Sequence, residues 1–92
     1  KIDLNLLPLF LAVAEERSFS AAAGRLGITR SAVSQGIRRL EDGFQTLLVM
    51  RTTRSVRLTE AGERLHKSLL RTISNNEAAF DDLISDSITR RQ

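Results

Sequence analysis

The 92-residue sequence contains no cysteine, tryptophan or tyrosine, and it has only one histidine and one proline. Without cysteine it forms neither a disulfide scaffold nor a thiolate metal site, and a lone His66 does not make a metal site. No apolar run approaches the roughly 18 residues of a membrane span, and the N-terminus does not resemble a signal peptide. These absences predict a cytoplasmic protein that uses no metal, cofactor or membrane.

The patterns that catalysis needs are also missing. The sequence has no Gly-rich phosphate loop, no paired carboxylates in a pocket-like setting and no nucleophile accompanied by a base. A hydrophobic content of 41% is enough for one modest core, which must be mostly aliphatic because four Phe are the only aromatic residues. We therefore expect a small binding domain and no enzyme.

Charge is distributed unevenly along the chain. The whole sequence has a net charge of +3, yet residues 17–71 hold eleven basic and four acidic residues, a net of +7. Residues 77–86 hold four acidic residues and no basic one. A basic body favours a polyanion such as nucleic acid as the partner. On charge alone, an ordinary solvated basic face remains the alternative.

Residues 20–41 have the pattern of two helices joined by a tight turn. The alanines at 21–23 allow another helix to approach closely, and Gly27 suits a left-handed residue at the end of a helix. Ile28 is expected to be a buried plug, and Thr29 is expected to cap a helix over 30–44. This order predicts a helix-turn-helix.

The surrounding helices follow from spacing and capping residues. Apolar residues at helical spacing predict a first helix over about 6–17, with Asn5 as its cap and Pro8 in its first turn. Ser20 is the expected cap of a second helix over 21–26.

The outward face of the predicted third helix carries side chains that can bond to base edges or phosphates. Arg30 suits a bidentate bond to guanine and Gln35 one to adenine, because an α-helix fits the major groove. Pairing of Arg39 with Glu41 or Asp42, and a purely solvent-exposed Gln35, are the alternatives. The full candidate set on this helix is Thr29, Arg30, Ser31, Ser34, Gln35, Arg38 and Arg39.

Two short apolar segments, residues 47–50 and 56–58, flank a basic polar stretch and predict a β-hairpin, or wing. The tip carries side chains typical of phosphate contacts on a projecting loop, namely Arg51, Arg54 and Arg57 with Thr52, Thr53 and Ser55. An ordinary polar hairpin turn is the alternative.

Thr59 is the expected cap of a long last helix. This helix divides the chain into a winged helix-turn-helix at residues 1–58 and a linker or dimerisation helix at residues 59–92. Thirty helical residues span roughly 45 Å, so one end must bury its apolar stripe on something else. A second copy of the helix is the expected partner, and a helix frayed by truncation is the alternative. The candidate dimerisation residues are Leu65, Leu69, Ile73, Asn76, Phe80 and Leu83.

The segments LNLLPLFLAVAEERSFSAAAGRLGITRSAVSQGIRRLE and RTTRSVRLTEAGERL resemble the N-terminal DNA-binding domain of LysR-type transcriptional regulators. The resemblance implies a mainly α fold, a winged helix-turn-helix of three helices plus a short β-hairpin, with a long C-terminal dimerisation helix. It implies binding to double-stranded DNA at pseudo-palindromic operators, homodimers through the long helix and a homotetramer in the full-length protein. It also implies a small-molecule effector domain, which these 92 residues do not contain.

By position, the resemblance implies DNA contacts from two parts of the chain. The helix contacts fall on Thr29, Arg30, Ser31, Ser34, Gln35 and Arg38, and the wing contacts on Arg51, Thr53 and Arg54. Three departures stand out: Phe44-Gln45 where the family usually has Leu-Gly, Val49-Met50 where it usually has Phe before the wing arginine, and Arg30 where many members have Gln.

The sequence therefore predicts a nucleoid-associated transcriptional regulator that binds specific DNA sequences. A basic adaptor that binds an acidic protein partner is the alternative from another class.

Overall fold

The computed structural model describes residues 2–52 and 55–72. A single 3₁₀ turn at Leu4–Leu6 leads into α1 (Leu7–Glu16), followed by α2 (Phe19–Leu26) and α3 (Arg30–Phe44). Strands β1 (Val49–Arg51) and β2 (Val56–Leu58) form an antiparallel hairpin, and residues 60–72 are helical and are called α4 here. The predicted mainly helical fold, with a helix-turn-helix and a β-hairpin, is confirmed.

One apolar core joins the helices to the hairpin. Phe10 and Val13 of α1 lie fully buried with Val33, Ile37 and Leu40 of α3, whose spacing of four and three places them on one helix face. The hairpin and the loop before it add Leu48, Val49, Val56 and Leu58. Leu65 and Leu69 of α4 are half-buried and pack against this core.

Two of the four predicted caps are correct. The Thr29 hydroxyl accepts a hydrogen bond from the Ala32 amide at 3.0 Å, and that of Thr59 accepts one from the Gly62 amide at 3.0 Å. The prediction of Ser20 is wrong, because Ser18 has the extended backbone that a capping residue needs and accepts from the Ala21 amide at 3.1 Å. Helix α2 therefore begins at Phe19.

The start of α1 also differs from the prediction. Asp3, not Asn5, provides the capping side chain, and its carboxylate accepts from the Asn5 amide at 3.0 Å at the start of the 3₁₀ turn. Pro8 lies in the first turn of α1 as expected, where its missing N–H is not needed.

The turn between α2 and α3 has the predicted glycine but not the predicted plug. Gly27 has φ +69°, and its N–H bonds to the Ala23 carbonyl. Ile28 is 40% exposed, so the prediction that it is buried is wrong. Phe19, Ala22 and Ala23 are the residues of α2 that enter the core instead.

Helix α3 ends at Phe44 because Gln45 adopts the left-handed conformation itself, with φ 55°. Its N–H bonds back to the carbonyls of Glu41 and Asp42. A glutamine here bears the steric cost that a glycine avoids, which is about 1 kcal/mol. The helix thus has the predicted length although the usual glycine is absent.

A tight joint connects the hairpin to α4. The Thr59 hydroxyl donates to the Leu47 carbonyl at 2.6 Å, and the Thr59 amide donates to the Leu48 carbonyl at 3.0 Å. Gly62 lies so close that a Cβ added there would overlap the Leu48 carbonyl oxygen. The start of α4 is therefore fixed against the backbone that enters β1.

We predict that Gly62→Ala lowers the free energy of unfolding by about 1–3 kcal/mol, because the added methyl group meets backbone and not a movable side chain. Gly24→Ala is the matched control: it lies in α2 with open space around its Cβ position, and we expect about 0.4–1 kcal/mol of stabilisation. Urea unfolding of both variants checks the opposite signs. Equal effects would contradict the close approach at Gly62.

We also predict that Gln45→Gly stabilises the chain by about 0.5–1 kcal/mol, because glycine adopts a positive φ without strain. Gln35→Gly, inside α3, should instead cost about 1 kcal/mol. Thermal unfolding followed by circular dichroism measures both. A lower melting temperature for Gln45→Gly would show that this position is unstrained.

Candidate nucleic-acid interface

The face of α3 opposite its buried residues is polar and basic. Arg30, Ser31, Gln35, Arg38 and Arg39 are exposed, and Ser34 is half-buried. Arg30, Arg38 and Arg39 form no ion pair with any residue that the structure describes. The alternative pairing of Arg39 with Glu41 or Asp42 is therefore not seen, and three guanidinium groups on this face are available to a ligand.

Thr29 lies at the first turn of α3, where the uncapped backbone N–H groups of a helix favour negative charge. Its hydroxyl oxygen accepts the capping bond from the Ala32 amide, and its hydroxyl proton is free to be donated to an external acceptor.

A basic groove runs between α3, the start of α2 and the hairpin. Arginine and hydroxyl side chains dominate its lining, and no acidic residue takes part. Such side chains are the usual donors to phosphate oxygens. The lining residues are Arg17, Ser18, Phe19, Ser20, Arg30, Ser31, Ser34, Arg38, Arg51, Thr52, Ser55 and Val56.

The groove brings together some of the predicted site residues and not others. Arg30, Ser31, Ser34, Arg38 and Arg51 line it, whereas Gln35 and Arg39 lie on α3 outside it. Thr53 and Arg54 lie outside the described residues.

Sequence reasoning did not place the segment before α2 in this site. Arg17 and Ser18, between α1 and α2, line the groove together with Ser20 in the first turn of α2; Arg17 follows the last residue of α1 in a left-handed conformation. The two serines at the start of α2 were the available signal, but the sequence was interpreted only as a helix end at Ser18 and a cap at Ser20.

Arg51 lies on the core side of the hairpin. Its side chain is 31% exposed, its guanidinium carbon is 5.3 Å from the centre of the Phe19 ring, and its Nη2 is 3.9 Å from Oε1 of Glu41. Arg57 lies on the opposite, exposed face of the hairpin and does not line the groove. Arg51 is thus both a groove residue and an internal contact.

Glu41 connects α3 to β1, and sequence reasoning considered it only as a surface partner for Arg39. It is buried, and its Oε2 accepts from the amides of Leu48 at 2.8 Å and Val49 at 3.2 Å. Carboxylates that accept backbone N–H bonds form strong, charge-assisted hydrogen bonds. This carboxylate therefore fixes the approach of the hairpin to the end of α3.

With this geometry established, the comparisons with known proteins can be interpreted. A family profile described as bacterial regulatory helix-turn-helix protein, lysR family, matches residues 4–63. The chain belongs to the LysR family. The resemblance in the sequence is thereby confirmed.

Two curated relatives and one crystal structure are similar to this LysR-family chain. It is 49% identical over 80 residues to the HTH-type transcriptional regulator PgrR of Escherichia coli (strain K12), covering 84% of the chain and 27% of PgrR. It is 42% identical over 80 residues to BudR of Klebsiella aerogenes, covering 87% of the chain and 56% of BudR. A crystal structure of a CbnR_DBD–DNA complex matches with a TM-score of 0.79 at 26% identity, covering 94% of this chain and 99% of that one.

Other cations of the LysR-family chain are balanced within the fold. Arg25 pairs with Glu15 at 2.6 Å and with Glu16 at 3.2 Å, and the hydrogen bond to Glu15 is the main reason that the pKa of Arg25 is raised. Arg17, at the rim of the basic groove, lies 3.7 Å from Glu63 of α4. Arg30, Arg38 and Arg39 of α3, in contrast, form no ion pair within the described part of the chain.

Only two of the six predicted dimerisation residues lie within the described part of the chain. Leu65 and Leu69 pack against the core of their own chain, whereas Ile73, Asn76, Phe80 and Leu83 lie outside the described residues.

Within residues 2–52 and 55–72 there is no group of three or more acidic or histidine side chains that could hold a metal ion. None of the helices described there is long and apolar enough to cross a bilayer.

Proposed function

We propose that this LysR-family chain is the DNA-binding part of a sequence-specific transcriptional regulator. Helix α3 enters the major groove of double-stranded DNA, and the hairpin contacts the backbone or the minor groove. The observation that supports this proposal most is the exposed face of α3, where three arginines without an ion pair in the described structure adjoin a groove lined by hydroxyls and arginines.

The exposed residues of α3 have the donors and acceptors that base edges require. Arg30, in the first turn, donates two hydrogen bonds to O6 and N7 of a guanine, and Gln35 pairs in the same bidentate way with adenine. Ser31 and Ser34 bond to bases or phosphates, and Arg38 and Arg39, farther along the helix, contact phosphates. Thr29 donates its hydroxyl proton to a phosphate beside the start of the helix.

The basic groove takes a phosphate strand beside α3. Its lining includes the hydroxyl of Ser20 and the guanidinium of Arg38 and contains no carboxylate, so an anion meets no repulsion from the lining. Thr53 and Arg54 at the hairpin tip are proposed to continue these backbone contacts. The DNA present in the matching CbnR_DBD complex supports this placement.

The proposal extends to the assembly. Residues 1–58 form the DNA-binding unit, and residues 59–92 form a helix that pairs with its copy in a homodimer, with a homotetramer in the whole protein. Such a dimer suits a pseudo-palindromic operator, because each copy contacts one half-site. The greater length of PgrR and BudR supports a small-molecule effector domain outside this chain, in a regulator of the bacterial cytoplasm associated with the nucleoid.

Selection of binding sites from random duplexes tests this function directly. We expect one enriched motif, and a slope of log affinity against log salt near −5 if about six phosphates are neutralised. An adaptor for an acidic protein would enrich no motif. Absence of enrichment would therefore contradict sequence-specific binding.

We predict that Arg30→Ala weakens binding to the selected duplex by about 1–3 kcal/mol and relaxes the preference at one base pair. Arg64→Ala removes the same charge on α4, where Arg64 pairs with Glu60 at 3.5 Å outside the groove, and should leave the affinity almost unchanged. Fluorescence anisotropy with selected and random duplexes measures both. An equal loss on both duplexes would make Arg30 a phosphate contact.

We predict that Phe80→Asp converts a dimer to a monomer in analytical ultracentrifugation, because it places a charge on the predicted apolar seam. Leu69→Asp is a poor probe, since Leu69 packs against the core of its own chain. Ala78→Asp, about 200° around the predicted helix from Phe80, is the control and should remain dimeric. Identical behaviour of the two variants would refute the seam.

A further inference from the structure

The side chain of Arg51 points inward from the hairpin, toward Phe19 and Glu41, unlike the exposed arginine side chains of α3. In the hairpin it pairs with Val56, and alternation along the strand places it on the same face as the buried Val49. Met50 and Arg57 pair with each other on the exposed face. Arg51 therefore extends inward from the hairpin.

Three elements meet at the guanidinium group of Arg51. Strand β1 supplies the arginine, α3 supplies the buried carboxylate of Glu41 at 3.9 Å, and α2 supplies the ring of Phe19 at 5.3 Å. A planar guanidinium can stack on an aromatic ring while its edge faces a carboxylate, which a lysine cannot do equally well. The same carboxylate holds the amides of Leu48 and Val49.

We propose that Arg51 is a positioning residue that sets the hairpin against α2 and α3, and not a contact to DNA phosphate. Because the buried Glu41 already balances its charge, Arg51 adds nothing to the number of phosphates that the protein neutralises. Withdrawing Arg51 toward a phosphate would leave Glu41 buried without its cation, which is costly. This inference rests on the proposed DNA binding, but its first test does not.

The first test is a double-mutant cycle on the 92-residue chain. Arg51→Met keeps the apolar stem and should lower the melting temperature by about 5–10 °C, whereas Arg57→Met on the exposed face should change it by less than about 2 °C. Combining Arg51→Met with Glu41→Gln should cost less than the sum of the single changes, because the glutamine removes the unbalanced charge. If Arg51→Met does not fold, Arg51→Lys takes its place in the cycle with a smaller expected loss.

The second test uses DNA at a temperature where circular dichroism shows each variant fully folded. Arg51→Met should bind selected and random duplexes several-fold more weakly, while its salt slope stays within about 0.3 of that of the unaltered chain. A residue that only stabilised the fold would leave the affinity unchanged under these conditions. A lost phosphate contact would reduce the slope by about 0.9.

Four results would overturn the role of Arg51: a melting temperature equal to that of Arg57→Met, additive effects with Glu41→Gln, unchanged affinity in the folded variant, or a slope reduced by about one unit. If the unaltered chain binds no duplex at all, the proposed function fails, and the thermal cycle still decides whether Arg51 and Glu41 are coupled.

Discussion

The buried carboxylate of Glu41 is the constraint on which the arrangement of the site depends. It belongs to α3, yet its hydrogen bonds go to two amides of the hairpin segment, at Leu48 and Val49. Each of those amides would cost about 1–3 kcal/mol if it were buried without a partner. The orientation of the hairpin relative to the exposed face of α3 is thus fixed by one side chain, and the basic groove is the space that this orientation leaves.

The other fixed points lie at the two ends of the hairpin segment. Gln45 turns the chain at the end of α3 with a positive φ, and Thr59 with Gly62 fixes the start of α4 against the carbonyls of Leu47 and Leu48. Helix, hairpin and following helix are therefore connected by backbone hydrogen bonds and not only by apolar packing. Such bonds have strict geometry, so they constrain how the hairpin is placed beside α3.

Sequence reasoning predicted features that depend on neighbouring residues. Thr29 as a cap and Gly27 as a left-handed turn are local chemistry, and the apolar spacing of α3 depends only on helix geometry. The choice of Ser18 over Ser20 was missed, because both residues have capping side chains and only the backbone conformation distinguishes them. Burial of Glu41 and the inward direction of Arg51 depend on how the hairpin packs, which composition does not show.

The two sides of helix α3 differ in burial: one side belongs to the core, and the other is exposed. The residues that hold the fold together, Ile37, Leu40 and Glu41, are buried, whereas Arg30, Ser31 and Gln35 are exposed and have no part in the core. Exposed positions away from such features tolerate substitution with changes of about 0.5 kcal/mol or less. Under the proposed function, a lineage can therefore exchange the outward residues one at a time, and so acquire a new preferred operator, without passing through an unstable intermediate.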